Sequence, residues 1–313
     1  MATRVFLTVD TEFAWRHHAA GLDLPSIYDR SLEPAGVGIG YQLDQLARHD
    51  LKACFFVDPM PALVYGLKPV ARVVETILAA GQEVQLHCHP GWAAAASDDR
   101  AGRGRDRCNQ YSLHEQADLL AGASELLVAA GAPPPLAFRA GSYAANDDTL
   151  AALAGLGFIY DSSHNGADPG GIGLSPRVIA PVERGLIEVP VTVIEDAPGG
   201  LRTFQICALS TGESCDALEH AAISGHAAVT VVSHSFELAN RAGTGVNRVH
   251  VRRFEALCTV LAEMRGILPT CHFADRPPLI LGQDDQPLSP DPLRTRWRQA
   301  EQLWSNWVAE RAA

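Results

Sequence analysis

Residues 83–92 read EVQLHCHPGW, an apolar run that ends in two histidines one residue apart. If the run is a strand, alternate side chains share a face. Val84, Leu86 and Cys88 then point one way, and Glu83, Gln85, His87 and His89 the other. Cys88 is thereby turned from the imidazoles and is not counted as a ligand. Two imidazoles on one face of a strand end form either a metal clamp or a polar accident. The rest of the chain has to decide.

Around this stretch, short apolar runs alternate with helix-like segments. Strands are expected at 4–10, 51–59, 83–89, 136–141, 158–163, 185–195, within 226–238 and at 268–276. Helices are expected at 35–50, 69–82, 113–131, 146–157, 215–225 and 248–266. Asn146 or Asp147 supplies a cap, and Gly81 and Gly131 supply stops. This alternation predicts parallel βα units. Continuous apolar strands predict a sheet covered on both faces. Seven or eight such units in 313 residues favour a mainly parallel (β/α) barrel over an open sheet. One barrel domain is expected over 1–280, with a C-terminal helical extension over 281–313. That extension is amphipathic, and Trp297, Trp304 and Trp307 either pack on the body or form a dimer contact. A homo-oligomer therefore stays open. Segments 99–111 and 163–177 read as exposed loops.

Composition removes several classes of function. A net charge of −11 disfavours a nucleic-acid partner. No apolar run approaches the ~18–20 residues that span a bilayer, so no membrane partner is expected. The N-terminus lacks a signal-peptide layout. Seven cysteines without a framework suit a reducing compartment, and a soluble cytoplasmic protein is expected. GVGIG at 36–40 is not a dinucleotide fingerprint, and neither a P-loop nor a G-x-S-x-G elbow occurs.

In a parallel barrel the chemistry gathers at the C-terminal ends of strands. The first strand ends in Asp10-Thr11-Glu12, the third in His87-Cys88-His89, the fourth in Arg139 and the strand near 230 in Ser233-His234-Ser235. Asp10 ends a buried run, where an unpaired charge costs several kcal/mol, so it needs Arg139 or a metal beside it. Two neutral imidazoles and a carboxylate suit zinc or a similar divalent ion and leave a position for water. His17 and His18 fall in a loop after the first strand. His49, His114, His220, His226 and His250 lie on helices or their ends and are expected to face solvent. His164 and His272 are lesser rim candidates.

The order of these pieces resembles the polysaccharide deacetylase (NodB-homology) superfamily of carbohydrate esterases. LTVDTE stands where that family has T-F-D-D, EVQLHCHPGW where it has a histidine motif, FRAGSY where it has R-x-P-Y, and VVSHSFEL where it has L-x-x-H. FFVDP and GFIYDSS also resemble family segments, and the likeness runs from about residue 4 to 275. The resemblance implies a distorted (β/α) barrel of seven or eight mainly parallel strands and a metal-dependent amide hydrolase acting on an N-acetylated sugar. It implies Asp10 as general base, Arg139 as its orienter and His234 as general acid. Glu12 and His87 become ligands of a divalent metal ion, zinc by expectation. Thr11 separates two acids that are adjacent in the family, and the position four residues after His87 is Gly91, which cannot ligate. His89 is then the expected second histidine ligand. Tyr143 and Trp92 are expected to touch substrate. Two other readings stay open: hydrolysis of a small non-polymeric amide, and a catalytically silent barrel that binds carbohydrate or protein.

Overall fold

The computed structural model describes residues 2–96, 105–168 and 170–309. Among the described residues ten strands are formed. They are β1 (Arg4–Thr11), β2 (Cys54–Val57), β3 (Glu83–Cys88), β4 (Ala137–Ala140), β5 (Tyr160–Asp161), β6 (Ala180–Pro181), β7 (Ile187–Glu188), β8 (Val193–Ala197), β9 (Gly200–Thr203) and β10 (Ala228–His234). Eight of them make one sheet in the order β10-β1-β2-β3-β4-β5-β7-β6, parallel except for the last pair. β8 and β9 form a separate hairpin.

Helices cover the outer face. They are α1 (Trp15–Ala19), α2 (Leu24–Leu32), α3 (Ile39–His49), α4 (Ala62–Tyr65), α5 (Lys68–Ala79), α6 (Gly91–Ala96), α7 (Leu113–Ala129), α8 (Asp147–Leu156), α9 (Thr211–Ser224), α10 (Arg248–Glu263) and α11 (Pro292–Ala309). Their starts follow local chemistry. Asn146 accepts from Thr149 N at 3.0 Å to open α8, and Ser210 with Glu213 boxes the start of α9. Gly225, at φ 65°, ends α9 in the left-handed conformation that suits glycine.

Strand alternation divides the core in two. Val5, Leu7, Val9, Phe55, Val57, Val84 and Leu86 pack against helices, whereas Phe6, Cys54, Phe56 and Ala137 face the inside of the curl. Phe273 plugs that floor. It stacks on Phe6 at 4.2 Å between ring centres and meets Phe56 at 5.8 Å and Tyr160 at 5.2 Å, so one ring joins β1, β2 and β5. The sheet is thus a half-barrel, the distorted barrel expected. Its open side is closed irregularly: Thr192 N donates to Thr230 O, and Phe204 and Ile206 bond Val232 on the free edge of β10.

Several expectations need correction. The strand at 185–195 is two pieces, β7 and β8, separated by a stretch containing Pro190, which has no N–H for a ladder. No strand forms at 268–276; Thr270 makes a single bridge to Val5. His89 follows β3 instead of ending it. His226 and His250 are buried, 6% and 8% exposed. His17 is buried on α1, not in a loop. His272 lies at the floor, where its Nε2 is 3.3 Å from Gln82 Oε1, and His164 Nε2 is engaged with Leu174 O at 2.8 Å, so neither joins the mouth. Ser163, His164 and Asn165, expected in an exposed loop, are buried. Of the loop expected at 99–111, residues 99–104 lie outside the described residues. Among the described residues no helix is long and apolar enough to cross a membrane.

Candidate active site

Parallel register assembles the mouth. Asp10 is opposite His234 across β1 and β10, and His87 is opposite Arg139 across β3 and β4. Each residue occupies an inward phase of its strand, directly above floor residues such as Phe6 and Gln85. Strands far apart in sequence therefore deliver their last inward side chains to one place, as the strand-end argument expects.

Arg139 and Asp10 form the deepest pair, 0% and 3% exposed. Nη1 of Arg139 donates to Asp10 Oδ1 at 2.8 Å and to Thr8 Oγ1 at 2.7 Å. Its Nε and Nη2 donate to Ser162 O and Oγ, both at 3.0 Å, and the guanidinium lies 4.5 Å from the centre of the Phe56 ring. The cation is thus held on three sides, and Asp10 has one oxygen fixed and the other turned to His234 Nε2 at 4.0 Å. Burial works against the charged guanidinium, but Asp10 and other neighbours outweigh it and raise its pKa.

Beside this pair, Glu12, His87 and His89 bring one ligand atom each within 4.8 Å of one another. His87 Nδ1 is 2.7 Å from Arg139 O, which fixes the ring and leaves Nε2 3.5 Å from Glu12 Oε2. His89 Nε2 touches the same carboxylate oxygen. Thr11, between the two acids, points outward and bonds Val9 O at 3.1 Å, so the extra residue puts Glu12 back on the inner side. Burial opposes the charge on Glu12, yet the two imidazoles hold its carboxyl well below the usual range. Burial likewise opposes a charged His89, but Glu12 pulls it up to about 10. Two imidazoles and one carboxylate converging on one point fit a divalent ion of borderline softness. His89 has room because residue 141 is glycine: a Cβ there would meet the His89 ring at 2.6 Å.

Two acids escaped the sequence reading. Glu237, 7% exposed, holds His234: its Oε2 is 3.3 Å from Nδ1, while Oε1 accepts from Gln205 Nε2 at 3.0 Å and Cys207 N at 2.8 Å. Burial disfavours the imidazolium, but Glu237 first and then Asp10 and Glu12 hold His234 up at about 9. Asp58, 3% exposed, follows β2 in the inward phase of Phe56. One of its oxygens accepts from Met60 N at 3.0 Å and the other, buried, has no hydrogen-bond partner. Burial pushes its carboxyl up to about 6, against the pull of His89 and His87. The signal for Asp58 was present in FFVDP, an acid at a strand end.

Tyr143, expected to touch substrate, follows β4 in a strained turn. Ser142 and Tyr143 both take left-handed backbone angles, φ 55° and 54°, a costly pair for non-glycine residues. Its buried hydroxyl has no hydrogen-bond partner, and burial, with Asp10 close by, raises its pKa far above the usual range. Trp92 corrects its expectation. It is 1% exposed and cannot face substrate; it backs Trp15 and His18, whose ring centres lie 5.0 and 5.1 Å away.

The fold is that of the polysaccharide deacetylases, and the likeness is one of fold. A candidate polysaccharide deacetylase from Mycobacterium smegmatis superposes with a TM-score of 0.56 at 17% identity, over 90% of this chain and 94% of that one. A family 4 carbohydrate esterase from Streptomyces lividans, solved with acetate, gives 0.43 at 14% identity over 92% and 98%. A family 4 pseudoenzyme from Bacillus anthracis gives 0.42 at 16% over 93% and 70%. No protein-family model and no curated protein sequence matches the chain.

Proposed function

We propose that the chain is a metal-dependent amide hydrolase that removes an acetyl group from an N-acetylated sugar. The observation that carries this reading is the meeting, at one mouth, of a three-ligand cluster with an acid and a histidine placed for opposite proton transfers. A divalent ion held by Glu12, His87 and His89, zinc by its donor set, would polarise the amide carbonyl and make a bound water more acidic. Asp10, its first oxygen held by Arg139, receives the proton of the attacking water on its second. His234 gives a proton to the departing amine, which needs the imidazolium that Glu237 maintains.

Two supports favour a carbohydrate over a small apolar amide. One is the shared fold with a protein described as a polysaccharide deacetylase. The other is an exposed aromatic ring: Trp15, three residues after Glu12 in the chain, is 37% exposed and rests on His18 and Trp92. Flat sugar faces stack on such rings. The seven unpaired thiols support action in a reducing compartment.

The test is acetate release from N-acetylglucosamine oligomers by protein loaded with zinc, against Asp10→Asn. A fall of about 10²–10⁴ with metal content unchanged supports the assignment of Asp10 as base. Stoichiometric metal binding with no acetate release from any N-acetyl sugar would sink the substrate. Failure to bind a divalent ion at all would sink the reaction class.

A further inference from the structure

One buried acid at the mouth, Asp58, takes no part in the proton transfers assigned to Asp10 and His234. Parallel register gives it a definite place. Thr11 is level with Val57 across β1 and β2, and Val57 with Leu86 across β2 and β3. One step further brings Glu12, Asp58 and His87 level. Asp58 N donates to Thr11 O at 3.0 Å, so the ladder reaches that far. Asp58 shares the inward phase of Phe56 and stands in this row with a metal-binding side chain on either hand. It is 3% exposed. Oδ1 accepts from Met60 N at 3.0 Å, two residues on, and this turn fixes the direction of the side chain. Oδ2 is buried and has no hydrogen-bond partner. A carboxylate oxygen left in this way costs free energy until a cation or a donor reaches it.

Charge at the mouth says which. Arg139 balances Asp10, 2.8 Å away, and Glu237 balances His234, 3.3 Å away. Each of those pairs is closed. A divalent ion held by Glu12 and two imidazoles, neutral as ligands must be, would leave one positive charge in excess. Asp58 is the remaining acid in the row, and its single negative charge brings the centre to zero. The ligand atoms of Glu12, His87 and His89 lie within 4.8 Å of one another without any atom of Asp58 in the set. Its place is therefore beside the ligands and not among them.

We propose that Asp58 is the counter-charge of the metal centre, a carboxylate outside the ligand set that tightens the hold of Glu12, His87 and His89 on a divalent cation. The inference rests on the metal-dependent reading of the site. It makes Asp58 a positioning residue: it acts through the cation and needs no contact with substrate.

The experiment is zinc titration of the chelator-stripped full chain at one fixed pH, without substrate, read by competition with a chromophoric chelator. The wild type should bind one equivalent. Asp58→Asn should also bind one equivalent, about 10–100-fold more weakly, the usual loss when a residue supporting the ligands is changed. Asp58→Ala should lose the same factor, because both variants lack the charge although only Asn keeps an acceptor for Met60 N. With cobalt(II) in place of zinc, the visible spectrum of Asp58→Asn should match that of the wild type, since the three ligands are intact. Wild-type affinity in Asp58→Asn overturns the proposal, because the turn alone would then matter. An altered cobalt spectrum in that variant also overturns it, by making Asp58 a direct ligand. A wild type that binds no divalent ion is a different failure: it removes the metal-dependent reading itself, and the counter-charge with it.

Discussion

Floor and mouth of the half-barrel are built by the same strands, yet their buried carboxylates are treated in opposite ways. At the floor Glu83 accepts from Phe273 N at 2.8 Å, Ala274 N at 2.7 Å and Gln85 Nε2 at 2.7 Å. Its oxygens are occupied by backbone and amide donors. At the mouth Glu12 faces two imidazoles, and Asp58 and Tyr143 each keep a buried oxygen with no hydrogen-bond partner. A carboxylate closed off by backbone N–H groups holds a fold together. One whose neighbours are themselves ligands or proton carriers is poised for chemistry, and the unpaired oxygens beside it are a stability cost.

The sharpest break of this contrast is a matched pair of substitutions. His87→Ala should drop bound metal from stoichiometric to trace and abolish acetate release, at a stability cost of about 1–3 kcal/mol from the cavity and the freed Arg139 carbonyl. Glu83→Ala should cost more stability and leave the metal alone: the Phe273 and Ala274 amides lose their acceptor, at about 1–3 kcal/mol each, while metal content holds. Elemental analysis and thermal unfolding of both variants read this directly, and equal effects on metal would erase the distinction. Arg139→Met sits between the two regions. It strands a buried Asp10 and should cost about 3–5 kcal/mol as well as activity, because a broken buried pair leaves an uncompensated charge.

That much of the mouth was legible because two rules act together. Period-two alternation fixes which side chains face inward, and parallel topology puts strand ends at one rim, so Asp10, His87, Arg139 and His234 were placed without any knowledge of loops. The same rules reach Asp58, one inward step beyond Phe56, had the second strand been followed to its end. Glu237 was not legible in this way: it lies in a turn after β10, where no period holds. The short strands near 187–195 and the lost strand at 268–276 failed for a related reason. They pair through one or two residues, and such pairing is decided by what the closing segments pack against. For α11 the period revealed an amphipathic helix, but which face docks depended on Glu213, Asp196, Arg253 and Asn247, distant in sequence and silent in any local pattern.

Glu237→Gln sharpens the mouth itself. His234 must be protonated to act as the acid, so activity should decline on the alkaline side near its pKa of about 9. Without the carboxylate that limb should move down toward the ordinary histidine value near 6.5, whereas a merely structural Glu237 would lower the whole profile without moving it. The pair also stabilises the fold. Glu237, depressed to about 2, contributes above its ordinary value and loses its contribution as pH falls toward 2. His234, raised, contributes fully below 6.5 and loses its contribution as pH rises through about 9.

The smallest effect tests whether the mouth bears a cost at all. Asp58 has its carboxyl raised from 3.8 to about 6 by burial, so the folded state disfavours its charge. The sign is opposite to that of a paired carboxylate: the penalty is fully present above about pH 7 and vanishes as pH falls below the unfolded value. Asp58→Asn keeps the acceptor for Met60 N and removes the charge. In chelator-treated protein it should raise stability by about 1–3 kcal/mol at pH 8 and by nothing at pH 4. Metal affinity should fall in the same variant, since the charge that weakens the empty fold is one that a cation at Glu12, His87 and His89 would feel. A stability gain equal at both pH values would mean that the buried oxygen costs nothing as an ion, and that floor and mouth differ in geometry alone.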